Sequence, residues 1–276
     1  MAGDIHSKEK DLLLQSVIDI VEAAGKAIME VYRTKFTIKY KQDKSPVTMA
    51  DERSHSIITA GLQQISSYPI LSEEMEQPSY EVRKKWKAFW LVDPLDGTKE
   101  FINRRDEFTV NIALIKDTAP ILGVIYSPVQ KTAYYALKGR GAFRITGKHG
   151  PDLSAKQEEN LNYNRTKLPI SKRTSNIYTI VASRSHLSNA TDNYIKNEKS
   201  KYVEVRAIYA GSSLKFCRVA EGAADAYPRF EPTMEWDTAA GQIIVEESGK
   251  RMVLSDGITP LSYNKRSLTN PVFLVF

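Results

Sequence analysis

Residues 90–98 read Trp90-Leu91-Val92-Asp93-Pro94-Leu95-Asp96-Gly97-Thr98. Apolar residues from Ala88 to Val92 have the length and character of a buried strand, and they run straight into two carboxylates. Pro94 and Gly97 restrict the backbone there to a tight turn, so Asp93 and Asp96 are expected to converge at the end of the strand. Magnesium is a hard cation that takes oxygen ligands. Two aspartates and the freed backbone carbonyl of Leu95 therefore make half of a magnesium site.

The rest of the site is sought outward from there. Upstream, Ile70-Leu71-Ser72-Glu73-Glu74 repeats the pattern of a short apolar strand ending in acid. Glu73, which follows the strand most directly, is placed at the same sheet edge. Downstream, Trp236-Asp237-Thr238-Ala239-Ala240-Gly241 sets an acid at a helix start, with small residues behind it that permit close packing. Each acid has an ordinary alternative: a turn for Asp96-Gly97, a helix cap for Asp237, a solvated loop for Glu73-Glu74.

Around these blocks the pattern alternates helix and strand. Leu13, Val17, Ile20, Val21, Ala24, Ala27, Ile28 and Val31 recur at helical spacing. Thr48 and Asp51 have the spacing of a capping box opening a second helix that runs to about Ile65. Strands are predicted at 69–71, 88–92, 110–115, 121–126, 132–137 and 178–182, and further helices after Gly211-Ser212 and from Asp237 to Gly249. The organisation expected is an α/β chain of two subdomains, 1–146 and 169–276, joined by a polar loop or linker at 147–168. Helices layered against strands make a sandwich.

The 276 residues, 42% hydrophobic and 26% charged, suit a folded globular chain rather than a disordered one. No stretch approaches the roughly 18 apolar residues of a membrane span, and 1–10 lacks the apolar run of a signal peptide, so a cytoplasmic location is expected. A single cysteine, Cys217, excludes an internal disulfide and reads as a core thiol. The net charge of +6 favours anionic partners without choosing among nucleic acid, membrane surface and phosphorylated metabolites. The basic residues are scattered and carry no nucleic-acid-binding signature.

The three acidic blocks, in this order, resemble the inositol monophosphatase superfamily of metal-dependent phosphatases, across nearly the whole chain. The resemblance implies a layered αβαβα sandwich, α/β (α+β) in class, of the inositol monophosphatase/fructose-bisphosphatase type. It implies two or three Mg2+ ions held by Glu73, Asp93, the Leu95 carbonyl, Asp96 and Asp237, with Asp51 and Thr98 orienting and deprotonating the attacking water. Lithium sensitivity is implied too. Glu73, Leu95, Asp96, Gly97, Thr98 and Asp237 then also surround the substrate phosphate, with amides at Gly97 and Thr98 directed towards it. His55 reads as a packing or surface residue, since such sites prefer oxygen.

Within the superfamily the wording is similar to the 3′(2′),5′-bisphosphate nucleotidases, through Lys44-Ser45-Pro46-Val47-Thr48, Asp93 to Phe101, Phe108 to Leu114, Ser183-Arg184-Ser185-His186, Gly211 to Phe216 and Tyr227-Pro228-Arg229-Phe230. That similarity implies removal of the 3′-phosphate of adenosine 3′,5′-bisphosphate in sulfur assimilation, with its sulfated relative as a further substrate. It implies nucleotide contacts at His186, Ser212, Lys215 and Arg229. A bisphosphate carries a second anion beyond the metals' reach, which is a physical reason for Lys215 and Arg229. Their ordinary readings are a solvated helix face and a surface ion pair. The partner expected is this small molecule rather than nucleic acid, with no integral membrane segment; the chain is a monomer or homodimer, and peripheral contact with the inner face of the cell membrane stays open. The polar stretch at 147–167 looks longer than the family needs. An inositol or sugar phosphatase of the same superfamily, a non-catalytic nucleotide sensor and a nucleic-acid-binding protein are the alternatives.

Overall fold

The computed structural model describes residues 7–41, 45–147, 165–171, 176–184 and 188–276. Its centre is a seven-stranded sheet in the order β3 (Ile70–Ser72), β4 (Ala88–Asp96), β5 (Thr109–Lys116), β6 (Ala119–Ser127), β7 (Thr132–Leu137), β8 (Ala142–Thr146) and β9 (Arg165–Lys167). Only β3 and β4 run parallel, while the later pairs are antiparallel. Successive side chains of a strand point to opposite faces, and here both faces are covered. Leu91, Ala113, Ile115 and Ile125 enter one core, and Trp90, Val92, Ile112, Leu114 and Val124 enter the other. This double burial explains why the strands read as continuous apolar runs rather than as alternating ones.

Helices α1 (Ser7–Tyr32) and α2 (Met49–Ile65) cover one face. Thr48 caps α2 with the expected box: Asp51 Oδ2 accepts from Thr48 N at 2.8 Å. The opposite face carries α6 (Leu214–Ala220) and α7 (Glu235–Glu247). Beyond them β10 (Ile177–Ser183) pairs in parallel with β11 (Glu204–Ala210), and α5 (Asn189–Lys199) packs outside that pair. The order is thus helix, sheet, helix, sheet, helix, the αβαβα sandwich expected.

Several elements depart from the sequence reading. Residues 165–167 lie inside the expected linker yet form edge strand β9, so the first sheet extends beyond residue 146. Their pattern is polar because an edge strand needs little burial; Arg165 instead lies 3.6 Å over the Phe143 ring. Residues 148–164 of that linker lie outside the described residues. Helix α7 belongs to the second half of the chain but packs on the first half's sheet, and Ile243 and Ile244 share a core with Leu91 and Ile125.

That contact is very close at β6. A Cβ on Gly123 would stand 2.5 Å from Ile243 Cγ2 and 2.9 Å from the Ala240 backbone. We expect Gly123→Ala to destabilise the fold by about 1–3 kcal/mol through overpacking, as measured by denaturant unfolding. No loss of stability would show that α7 can move off the sheet freely.

Candidate active site

Strands β3 and β4 run parallel in the register Ser72 to Val92, and Glu73 N donates to Val92 O at 3.1 Å. Glu73 therefore leaves β3 beside Asp93, as its place in sequence suggested. The Asp93-to-Asp96 segment is not the simple turn expected. Asp93 pairs with Asn111 and Asp96 with Thr109, so β4 continues through a bulge with one extra residue. Pro94 has no N–H for the ladder, and Leu95 N turns back to Asp93 Oδ1 at 3.0 Å. Gly97 then adopts φ 92°, a left-handed value, and starts the short helix α4 (Thr98–Ile102).

Thr98 is the first residue of α4 and points its hydroxyl at the α2 cap. Its Oγ1 lies 3.1 Å from Asp51 Oδ1 and 3.2 Å from Leu95 O, and its one proton serves one acceptor at a time. Asp51 is only 1% exposed. Burial pushes its carboxyl up to about 6, hydrogen bonds from Thr48 oppose the shift, nearby Glu74 adds to it, and the Thr98 bond opposes it.

Asp237 is the third residue of α7, with Oδ2 accepting from Met234 N at 2.8 Å, so its capping role and its place in the site coexist. Two residues to which the sequence reading gave no role, though both lie in the runs quoted, tie it to Asp96. Ser213 Oγ lies 2.7 Å from Asp96 Oδ2 and 3.0 Å from Asp237 O, and Asn111 Nδ2 donates to Ser213 Oγ at 2.9 Å. Asn111 had a legible signal, a lone amide in the apolar run Val110 to Ile115; Ser213 had little. Lys41 was also missed: its Nζ lies 3.2 Å from Glu73 Oε1 and 2.5 Å from Glu74 Oε1.

The donor chemistry fits a divalent cation. Burial raises the Asp93 carboxyl well above its ordinary value, and Glu73, Asp96 and Asp237 raise it further. Asp237 is raised by burial and then by Asp96 and Glu73. Oxygen donors that repel one another across a cleft need positive charge between them. The hydrogen bonds above turn one oxygen of each aspartate to a protein donor. In that arrangement no three His, Cys, Asp or Glu side chains among the described residues form a ready-made metal-holding group.

These groups line a cleft of about 870 Å³ whose other wall carries Ser212, Lys215 and Arg229. Lys215 is not on a solvated helix face: it is 5% exposed, and its Nζ donates to Ser212 O at 2.5 Å. Burial lowers its ammonium to about 8, against the pull of Asp96. Arg229 Nε and Nη2 donate to the carbonyls of Glu231 and Pro232 at 3.0 and 3.2 Å rather than to a carboxylate. His186 and Lys44 lie outside the described residues. His55 Nδ1 lies 2.9 Å from Ser72 Oγ and ties α2 to β3.

A five-layer sandwich with acids from both halves of the chain on one cleft is the arrangement of a family of metal-dependent phosphatases. The chain belongs to the inositol monophosphatase family, whose profile matches residues 9–271. It is 43% identical over 95% of its length to the 3′(2′),5′-bisphosphate nucleotidase CysQ of Salmonella typhimurium (strain LT2), 99% of which is covered. The protein of the same name from Haemophilus influenzae is 35% identical over 95% of this chain and 92% of its own length. Among solved structures, CysQ from Bacteroides thetaiotaomicron matches with a TM-score of 0.86 at 43% identity, covering 95% of this chain and 96% of that one.

Proposed function

We propose that this protein is a magnesium-dependent 3′(2′),5′-bisphosphate nucleotidase that converts adenosine 3′,5′-bisphosphate and water to AMP and phosphate. The observation that carries the reading is one cleft with an acid cluster on one wall and Lys215 and Arg229 on the other. A phosphate ester at the acids leaves a second phosphate needing cations, and the curated relatives similar along nearly the whole chain bear the name of that reaction. The sulfated relative of the substrate fits the same cleft chemistry.

Glu73, Asp93, the Leu95 carbonyl, Asp96 and Asp237 would hold two or three magnesium ions. When bound, these supply Lewis acidity, which acidifies water and neutralises phosphate oxygens. The chain's own residues handle the proton and the substrate. Thr98 Oγ1 accepts a hydrogen bond from the attacking water while donating to Asp51 Oδ1, and the proton released ends on Asp51. Ser212, Lys215, Arg229 and His186 hold the nucleotide. Residues 1–146 then contribute the proton acceptor and most metal ligands, and 169–276 the nucleotide contacts and Asp237. The small nucleotide is the partner, encountered in the cytoplasm by a monomer or homodimer. Among the described residues no helix is long and apolar enough to cross a membrane.

Phosphate release from adenosine 3′,5′-bisphosphate, inositol 1-phosphate and fructose 1,6-bisphosphate with magnesium tests the reading. The first should be hydrolysed with the highest kcat/KM. Excess chelator should abolish the activity and added magnesium restore it. Preference for inositol 1-phosphate would assign a sugar phosphatase instead, and full activity in chelator would remove the metal.

Asp51 must be ionised to accept a proton, and its carboxyl is raised to about 6. Activity is therefore expected to be present at neutral pH and to fall on the acid side, by about tenfold in kcat/KM per pH unit, with bound cations moving that limb below the metal-free value. Asp51→Asn should remove most of the turnover at every pH, and near-normal turnover in that variant would exclude Asp51 as the acceptor.

A further inference from the structure

Ser212 sits in the cleft wall at φ 45°, a left-handed backbone that side chains disfavour. Something must hold it there. Next to it, Gly211 N donates to Glu107 Oε2 at 3.0 Å. The same carboxylate is gripped by a guanidinium fork, with Arg184 Nε donating to Oε2 and Nη2 to Oε1, both at 3.0 Å. Arg184 Nη2 also reaches Tyr209 O at 3.2 Å, on the strand that leads into the turn. The fit is tight: a Cβ on Gly211 would stand 2.8 Å from Glu107 O and 2.9 Å from Glu107 Cβ. On the far side of the turn, Ser212 Oγ lies 3.1 Å from Thr109 Oγ1, and Ser212 O accepts from Lys215 Nζ at 2.5 Å. Glu107 precedes β5 in the first half of the chain, whereas the turn joins β11 to α6 in the second.

We propose that Glu107 is a positioning residue for nucleotide recognition: by clamping Gly211 it keeps Ser212 left-handed, and the Ser212 carbonyl in turn aims the Lys215 ammonium into the cleft. This rests on the reading of Ser212 and Lys215 as nucleotide contacts. An ion pair as exposed as this one, with Arg184 45% open, adds little to stability in its own right. Its effect is therefore expected in substrate binding rather than in folding.

The test is steady-state kinetics of wild type, Glu107→Ala and Glu107→Gln on adenosine 3′,5′-bisphosphate and inositol 1-phosphate, with melting curves alongside. Glu107→Ala should raise KM for the bisphosphate about tenfold, the size of one lost hydrogen bond, with kcat within about twofold. Its kcat/KM on inositol 1-phosphate should stay near wild type. Glu107→Gln keeps an acceptor for Gly211 N–H and should recover most of the KM. Equal losses on both substrates, or an unchanged KM, would overturn the proposal. If Glu107→Ala melts below the assay temperature, Arg184→Gln gives the same readout by releasing Glu107 from its fork, and an unchanged KM there overturns it too. Wild type inactive on the bisphosphate would instead overturn the nucleotidase reading.

Discussion

Replacing Asp93 by Asn should lower turnover by about a thousandfold or more while leaving the fold intact, and Asp237→Asn should do the same. Each change removes one negative charge from the cluster, weakening both cation binding and neutralisation of the transition state. Asp93 makes the contrast sharp because its ionised form is costly in the chain alone. Burial, Glu73, Asp96 and Asp237 all raise its carboxyl, so its charge destabilises the metal-free fold at neutral pH. An amide there carries no charge and still accepts from Leu95 N–H. The metal-free variant should therefore melt at the same temperature as wild type or higher. Calorimetry in chelator together with kinetics at saturating magnesium separates the two effects, and near-normal turnover in either variant would mean the site is wrongly placed.

The second large effect concerns substrate choice. Lys215→Met and Arg229→Ala are each expected to cut kcat/KM on adenosine 3′,5′-bisphosphate by about ten- to hundredfold, the equivalent of a charge-assisted bond worth roughly 1.5–3 kcal/mol. A small monophosphate should lose far less. Methionine is chosen because Lys215 is buried against the Tyr227 ring, 5.5 Å from its centroid, and truncation to alanine would leave a cavity as well as remove a charge. Burial lowers the Lys215 ammonium to about 8. Selectivity should accordingly weaken as pH rises through that value. Equal losses on both substrates would make these two cations structural.

The parts of this fold that could be read from the sequence are those whose pattern reports burial directly. β4 to β7 bury nearly every side chain, and Leu13 to Val31 follows one helical face. The acids were legible from their local setting: Glu73 ends the apolar run of β3, Asp93 and Asp96 follow that of β4, and Asp237 stands at a helix head before small residues. Short or half-exposed elements were not. β9 is three polar residues at a sheet edge, and β11 mixes exposed and half-buried positions. The turn expected at Asp93–Asp96 became a bulge because β5 supplied partners on both sides, a pairing that local residue preferences cannot report. Lys41, Ser213 and Glu107 were given no role for a similar reason, since each meets its partners only across a long stretch of chain.

Helix α7, seated on a sheet built by the other half of the chain, has a consequence for the life of the polypeptide. Until residues 235–247 are made, the face of β4 to β7 that carries Leu91, Ile115, Ile125 and Ala136 lacks the helix that supplies most of its cover. A chain cut at residue 168 would keep every strand of the main sheet but expose that apolar face, and such a face recruits other chains. The halves are thus not interchangeable modules. During synthesis the sheet must wait, shielded or incompletely formed, for its last helix, and nonsense truncations anywhere before α7 should give aggregates rather than a smaller soluble protein.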